Sequence, residues 1–276
     1  MAVKTLLPGA TDLAAGASWS GGVAPTADDD LIIPNGSQTI PGVDLSALVT
    51  TGVQTFHIMK GFTGTIGGGG TSLVIPMKTA YTSKPNFLNE SSGFVYISSG
   101  SVTCTNAVVN GSGSTFITGG TWTNVYANAG TSVPGAAATV TNMLYGGGTV
   151  LDTFTSSIAY TTVTITGSGN VSIARAVTTM NVNGSANVTY NANGEAITTL
   201  NLNNPGATVY LVAGNITTAN LNGPLDLSNL QYDATIGGTA TNIYPTGSII
   251  DDGNPRATIS NISKFGGASQ AGPVPN

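Results

Sequence analysis

Charge is what this sequence has least of. Lys and Arg together number seven and Asp and Glu twelve in 276 residues, so charged side chains make up 7%, against roughly 25% in an ordinary globular domain. The net charge is −5 and no Lys/Arg cluster occurs, which argues against a nucleic-acid partner, since that would need phosphate-neutralising cations. Cysteine is nearly absent: Cys104 stands alone, so there is no internal disulfide framework. The single histidine, His57, would have to serve any Ser-His-Asp triad, and no nucleophile motif surrounds it. No apolar run approaches bilayer-crossing length, so no membrane partner is expected. The start, MAVKTLLPGATDLAAG, has one Lys and no sustained apolar stretch and does not read as a secretory signal.

What is present is Gly, at 38 residues, with Ser, Thr and Asn among 40% hydrophobic residues. That apolar content, patterned with period two, argues for a folded β protein rather than disorder. The pattern also repeats. TTVTITGSG begins at Thr161, TTMNVNGSA at Thr178, TTLNLNNPG at Thr198 and TTANLNGPL at Thr217, so the starts follow one another at nearly constant spacing. A period of about 20 residues marks stacked supersecondary units.

Within each unit a first strand alternates. Val163/Ile165, Met180/Val182, Leu200/Leu202 and Ala219/Leu221 share one face, and Thr164/Thr166, Asn181/Asn183, Asn201/Asn203 and Asn220/Asn222 share the other. Turns at Gly167, Gly184, Pro205-Gly206 and Gly223-Pro224 follow. A second strand comes next (Val171/Ile173, Val188/Tyr190, Val209/Leu211, Leu225/Leu227), then a short third piece at Val177, Ile197 and Ile216. Three short strands per coil of about 20 residues predict an all-β fold, a parallel β-helix or β-solenoid, whose coils bury their apolar faces only by stacking. Ile165, Val182, Leu202 and Leu221 are expected in one internal column. Thr166, Asn181, Asn183, Asn201, Asn203, Asn220 and Asn222 are expected to form outer ladders with amides bonded between coils about 4.8 Å apart. An Asn-lined binding surface is the competing use of the same residues. Arg175 and Glu195 each lie three residues before a Thr-Thr start, which predicts a surface ion pair between adjacent coils.

Three regions follow. Residues 1–50 lack the coil pattern and carry Asp12, Asp28-Asp29-Asp30 and Asp44, as expected of a cap or attachment region. Residues 51–245 are the solenoid, and 246–276 a C-terminal segment ending in a Gly/Pro/Ala/Ser-rich extension from 265.

Catalytic chemistry finds little material. Glycosidases need two carboxylates about 5–9.5 Å apart, and Glu90, Asp152, Glu195, Asp226 and Asp233 occupy different repeat positions. No catalytic residue is assigned. The clusters Asp28-Asp29-Asp30 and Asp251-Asp252-Gly253-Asn254 lack calcium-loop spacing and are expected as turns, so neither metal nor cofactor is expected. Trp122, Tyr126 and Tyr145 have the chemistry to stack on sugars, but as isolated residues they are expected chiefly in the core.

The stretch SWSGGVAPTADDDLIIPNGSQTI, followed by FTGTIGGG, adds what periodicity cannot supply. Through Trp19, Gly22, Pro25, Asp29, Asp30, Ile33, Thr65, Ile66 and Gly67 it resembles the opening of β-solenoid proteins encoded among tailed-bacteriophage virion genes. Similar openings occur in secreted bacterial β-helix adhesins. The resemblance is confined to positions 18–69 and implies a non-enzymatic virion protein: a capsid decoration protein or a tailspike-like trimer, assembled in the host cytoplasm. The partners implied are the chain itself, as a homotrimer, and the major capsid protein. Trp19, Pro25, Asp29 and Asp30 would anchor the N-terminal cap, and 265–276 would reach a neighbouring chain. A tailspike or receptor-binding protein that binds or cleaves host glycans, or an adhesin, is the alternative.

Overall fold

The computed structural model of the chain describes residues 2–68, 70–78, 84–152, 156–251, 253 and 255–266. The fold is an all-β parallel solenoid with coils of about 20 residues. Its one helical element among the described residues is a 3-10 turn at Gly16–Ser18. The chain forms two compact units, Met1–Thr141 and Asn142–Asn276.

In the second unit three strand columns wind around one apolar interior. The first column stacks residues 142–145, Ser156–Ile165, Arg175–Val182 and the C-terminal halves of Ala186–Leu202, Thr208–Leu221 and Ala234–Ile243, all in parallel register. Tyr145, Ile165, Val182, Leu202, Leu221 and Ile243 follow one another in this column, and each is at most 1% exposed. The second column aligns Val171, Val188, Val209 and Leu225, then Ile249. The third aligns Val177, Ile197, Ile216, Ile236 and Ile259. β-branched residues dominate because pleated, half-buried surfaces suit them. Burying one such side chain contributes about 1.5–3 kcal/mol, and only the neighbouring coils can supply that burial.

Glycine sets the coil corners. A Cβ added at Gly184 would lie 2.1 Å from the Gly167 carbonyl oxygen, and one at Gly167 would lie 2.2 Å from that of Gly146. Any side chain there would wedge adjacent coils apart.

The first unit uses the same plan with shorter rungs. Val3–Thr5, Asp30–Ile33, Thr55–Ile58, Phe87–Asn89, Cys104–Val109 and residues 122–127 pair successively in parallel. A second column runs through Thr39–Ile40, Thr65–Ile66, Phe94–Ser98, residues 114–117 and Thr131–Pro134. Its interior is more aromatic: Phe56 and Phe87 stack at 6.1 Å, and Trp122 meets Phe87 edge-on at 6.0 Å. Cys104 lies inside, and burial pushes its thiol pKa up, so it behaves as a small apolar residue.

The coils extend past the expected boundaries at 50 and 245, which are corrected accordingly. They begin at Val3–Thr5 and continue through Ser248–Ile250, Ala257–Ile259 and Ile262–Lys264, each in parallel register with its neighbour. Such short rungs, separated by long loops, carry too little alternation to be recognised.

Candidate functional site

The outward positions of the second unit carry the ordered polar groups. Asn201 donates to the Asn181 side-chain carbonyl, Asn220 to Asn201, and Asn242 to Asn220, each at 2.8 Å. Asn242 was not anticipated and extends the ladder by one rung. Two residues along each strand a second column is bonded less regularly. Asn203 donates to the Asn183 side chain at 2.8 Å, whereas Asn222 reaches the Asn203 backbone carbonyl at 3.4 Å and accepts from Thr246. Thr166 does not join as a rung. Its short side chain turns back onto the Tyr145 carbonyl at 3.1 Å. Between the columns lies an open trough of about 500 Å³ lined by Asn201, Asn203, Asn220, Asn222, Tyr244 and Pro245.

The N-terminal residues build the first coil. Trp19 is fully buried, its indole N–H donating to the Leu13 carbonyl at 2.9 Å. It bridges Leu6 in antiparallel fashion, while Leu7 N–H bonds Ser18 and Ser20 N–H bonds Thr5. The segment 18–20 therefore pairs with residues 5–7 and covers that part of the edge, from which strands of another chain would otherwise propagate. Pro25 is buried. Asp29, 2% exposed, accepts from Ala2 N–H, Thr26 N–H and Thr26 hydroxyl at 2.8–3.0 Å, with Lys4 at 3.9 Å. Burial alone would raise its pKa, but the Thr26 and Ala2 hydrogen bonds and Lys4 outweigh that and hold it below the ordinary carboxylate value. Asp30 accepts from Thr55 on the next coil at 2.7 Å. Asp28 pairs with Lys78. The three aspartates thus point to three different partners.

The expected Arg175–Glu195 pair does not form. Arg175 is fully buried and grips Asp152 of an earlier coil, Nε to Oδ2 at 2.5 Å and Nη2 to Oδ1 at 3.0 Å. Tyr160 donates to the same carboxylate at 2.8 Å, and its ring lies 4.9 Å under the guanidinium. Burial and then Asp152 raise the Tyr160 pKa well above the ordinary phenol value. The cause of the miss is parity. Position 175 lies two residues before inward Val177 and so faces in as well. Regular pairing stops at Val177–Ile197, and between Asn191 and Ala196 the strand shifts register, leaving Glu195 half-exposed at the corner. Burial, and then the Glu195 charge, raise the pKa of Tyr190, whose hydroxyl is buried without a hydrogen-bond partner.

The other carboxylates are used locally. Glu90 bonds His57 at 2.8 Å, and Asp226 caps Ser228 through its N–H at 2.9 Å and its hydroxyl at 2.6 Å. Asp233 is exposed. No group of three metal-ligating side chains occurs among the described residues, and Asp252 and Asn254 lie outside them, as does 267–276. No helix of the described residues is long and apolar enough to cross a membrane. Trp122 and Tyr145 are buried.

Tyr126 instead faces outward, at the end of a column that the sequence did not disclose. Ile32, His57, Leu88, Val108 and Tyr126 align on five successive coils of the first unit, all half-buried on the outer face of the sheet. Unequal spacing between these rungs hid the alignment.

Comparison with protein-family models, curated proteins and solved structures finds no match to this chain.

Proposed function

We propose that the protein is a non-enzymatic structural component of a tailed-phage virion, a decoration protein that attaches as a homotrimer to the major capsid protein. The phage origin is supported by the opening stretch, whose Trp19, Pro25, Asp29 and Asp30 assemble and close the first coil. The structural role is supported by the economy of charge. Asp29, Asp30, Glu90, Asp152 and Asp226 each bond a neighbouring side chain, so these carboxylates are engaged in holding local structure.

The observation that carries the assembly is the Ile32–His57–Leu88–Val108–Tyr126 column. Four of its five members are apolar or aromatic and half-buried on the outer face, interrupted by His57 with its Glu90 partner, and a surface patch of this kind is a candidate for association. Few surface charges also mean little repulsion between chains brought side by side.

Sedimentation and native mass measurement should give a trimer, and Leu88→Lys should reduce it to a folded monomer by circular dichroism. A wild-type monomer would remove the trimer. Mass spectrometry and cryo-microscopy of purified virions should find the protein at shell-wide copy number; its absence from particles would remove the virion role.

A further inference from the structure

We propose that the Asn trough of the second unit binds a neutral polysaccharide. This goes beyond the structural role above and does not depend on it.

The first ground is a count of hydrogen-bonding capacity. An Asn amide has two N–H donors and a carbonyl that can accept twice. Asn201 and Asn220 each spend one N–H on the preceding rung and accept once from the following rung. Folding the solenoid therefore leaves each with one N–H and one acceptor position unspent, on residues that are half-buried and line the trough. Asn203 and Asn222 stand opposite across the trough with capacity of their own. These groups repeat every coil, about 4.8 Å, so a polymer can engage several rungs where a small molecule engages one. A hydroxyl both donates and accepts, which is what each rung offers in return.

The second ground is independent of the ladder. Tyr244 and Pro245 close one end of the trough, and the Tyr244 ring stacks on Phe265 at 5.2 Å and 17°. Both rings are substantially exposed, 38% and 46%, so they add little to the core. An exposed aromatic platform beside a row of amides suits a ligand with apolar C–H faces and hydroxyl edges. None of the six lining residues carries a charge, so a phosphate, sulfate or carboxylate polymer would find no partner for its desolvated groups. A neutral sugar chain satisfies both conditions. The trough is open and holds no acid–base pair, so the act is binding, not cleavage.

The test is affinity electrophoresis of the whole chain in native gels containing dextran, galactomannan or mixed-linkage β-glucan, with alginate as the charged comparison. The expected result is retardation by at least one neutral polymer, insensitive to salt. Tyr244→Ala should weaken it at least fivefold with an unchanged melting transition. Asn222→Ala should weaken it as well, but that change also removes bonds within its rung, so Tyr244→Ala decides. No retardation by any of the three neutral polymers overturns the proposal. So does equal retardation by alginate, or undiminished retardation of the Tyr244→Ala protein.

Discussion

Removing the carboxylate of Asp152 should be among the most damaging single changes available in this chain. Both Asp152 and Arg175 are 0% exposed, and two guanidinium bonds and the Tyr160 hydroxyl converge on one carboxylate. In Asp152→Asn the guanidinium stays inside without its counter-charge, and one of its N–H groups faces an amide N–H. Breaking one partner of a buried pair costs about 3–5 kcal/mol. Tyr160→Phe deletes only one hydrogen bond to a charged group and should cost about 1.5–3 kcal/mol. Replacing both charges, as in Asp152→Leu with Arg175→Met, removes the unpaired charge but leaves the buried Tyr160 hydroxyl without its acceptor. That double change should cost about 1–3 kcal/mol, less than Asp152→Asn. Because stacked coils need not unfold as one two-state body, the local readout is amide exchange of peptides spanning 160–182, alongside urea unfolding followed by circular dichroism. Two results would refute the reasoning: an Asp152→Asn cost below about 1 kcal/mol, or a double substitution as costly as its two singles added together.

Two further outcomes follow from the core and the cap. Leu202→Asp places an unpaired charge in the fully buried first column and should cost about 4 kcal/mol or more, read by urea unfolding; a cost near that of a surface change would mean the column is not closed. Asp29 has its folded pKa below the ordinary value, so its contribution is fully present above about pH 4 and is lost as pH falls through the folded value. The stability difference between wild type and Asp29→Asn, followed by tryptophan fluorescence, should therefore be larger at pH 7 than at pH 3; equal differences would show that the carboxylate is not the stabilising form.

What the sequence disclosed depended on rung length and on constant spacing. From Thr161 to Asn222 a Thr-Thr start recurs with little drift, followed by x-Asn-x-Asn from Thr178 on, and the register of all three strand columns could be read from it. The next rung, Asn242, pairs with Asn220 across a longer gap than its predecessors span. Ala240 stands where Thr218 does in the preceding rung, so the Thr-Thr motif no longer matches. In the first unit the rungs are shorter and the loops between them vary. Its outer apolar column was invisible there because residues as distant in the chain as His57 and Leu88 had to be placed side by side. Arg175 was misplaced for a different reason. Its parity with Val177 points inward, whereas the shared offset from the Thr-Thr starts places it opposite Glu195. Strand parity was the better guide because Asp152 and Tyr160 supply an interior partner, and neither lies at a repeat-equivalent position.

The scarcity of charge and the abundance of Asn are two sides of one solution. A stacked solenoid must join each coil to the next along its outer face, and alternating surface ion pairs would contribute only about 0–1 kcal/mol each while fading with salt. An amide that donates to the preceding rung and accepts from the following one does the same joining with one residue type, as Asn201 and Asn220 do between Asn181, which accepts, and Asn242, which donates. Each such bond contributes about 0.5–1.5 kcal/mol net, and bonds in a row polarise one another. The consequence is a surface with no electrostatic guard against association, so the exposed strand edge must be shut by structure instead. Residues 18–20 do this at the start of the chain, held by a Trp19 whose every atom is buried and whose indole N–H is satisfied. With so few charges, repulsion between copies is small, and on the readings proposed above the contacts of the chain fall to the half-buried outer column of the first unit and the amide trough of the second.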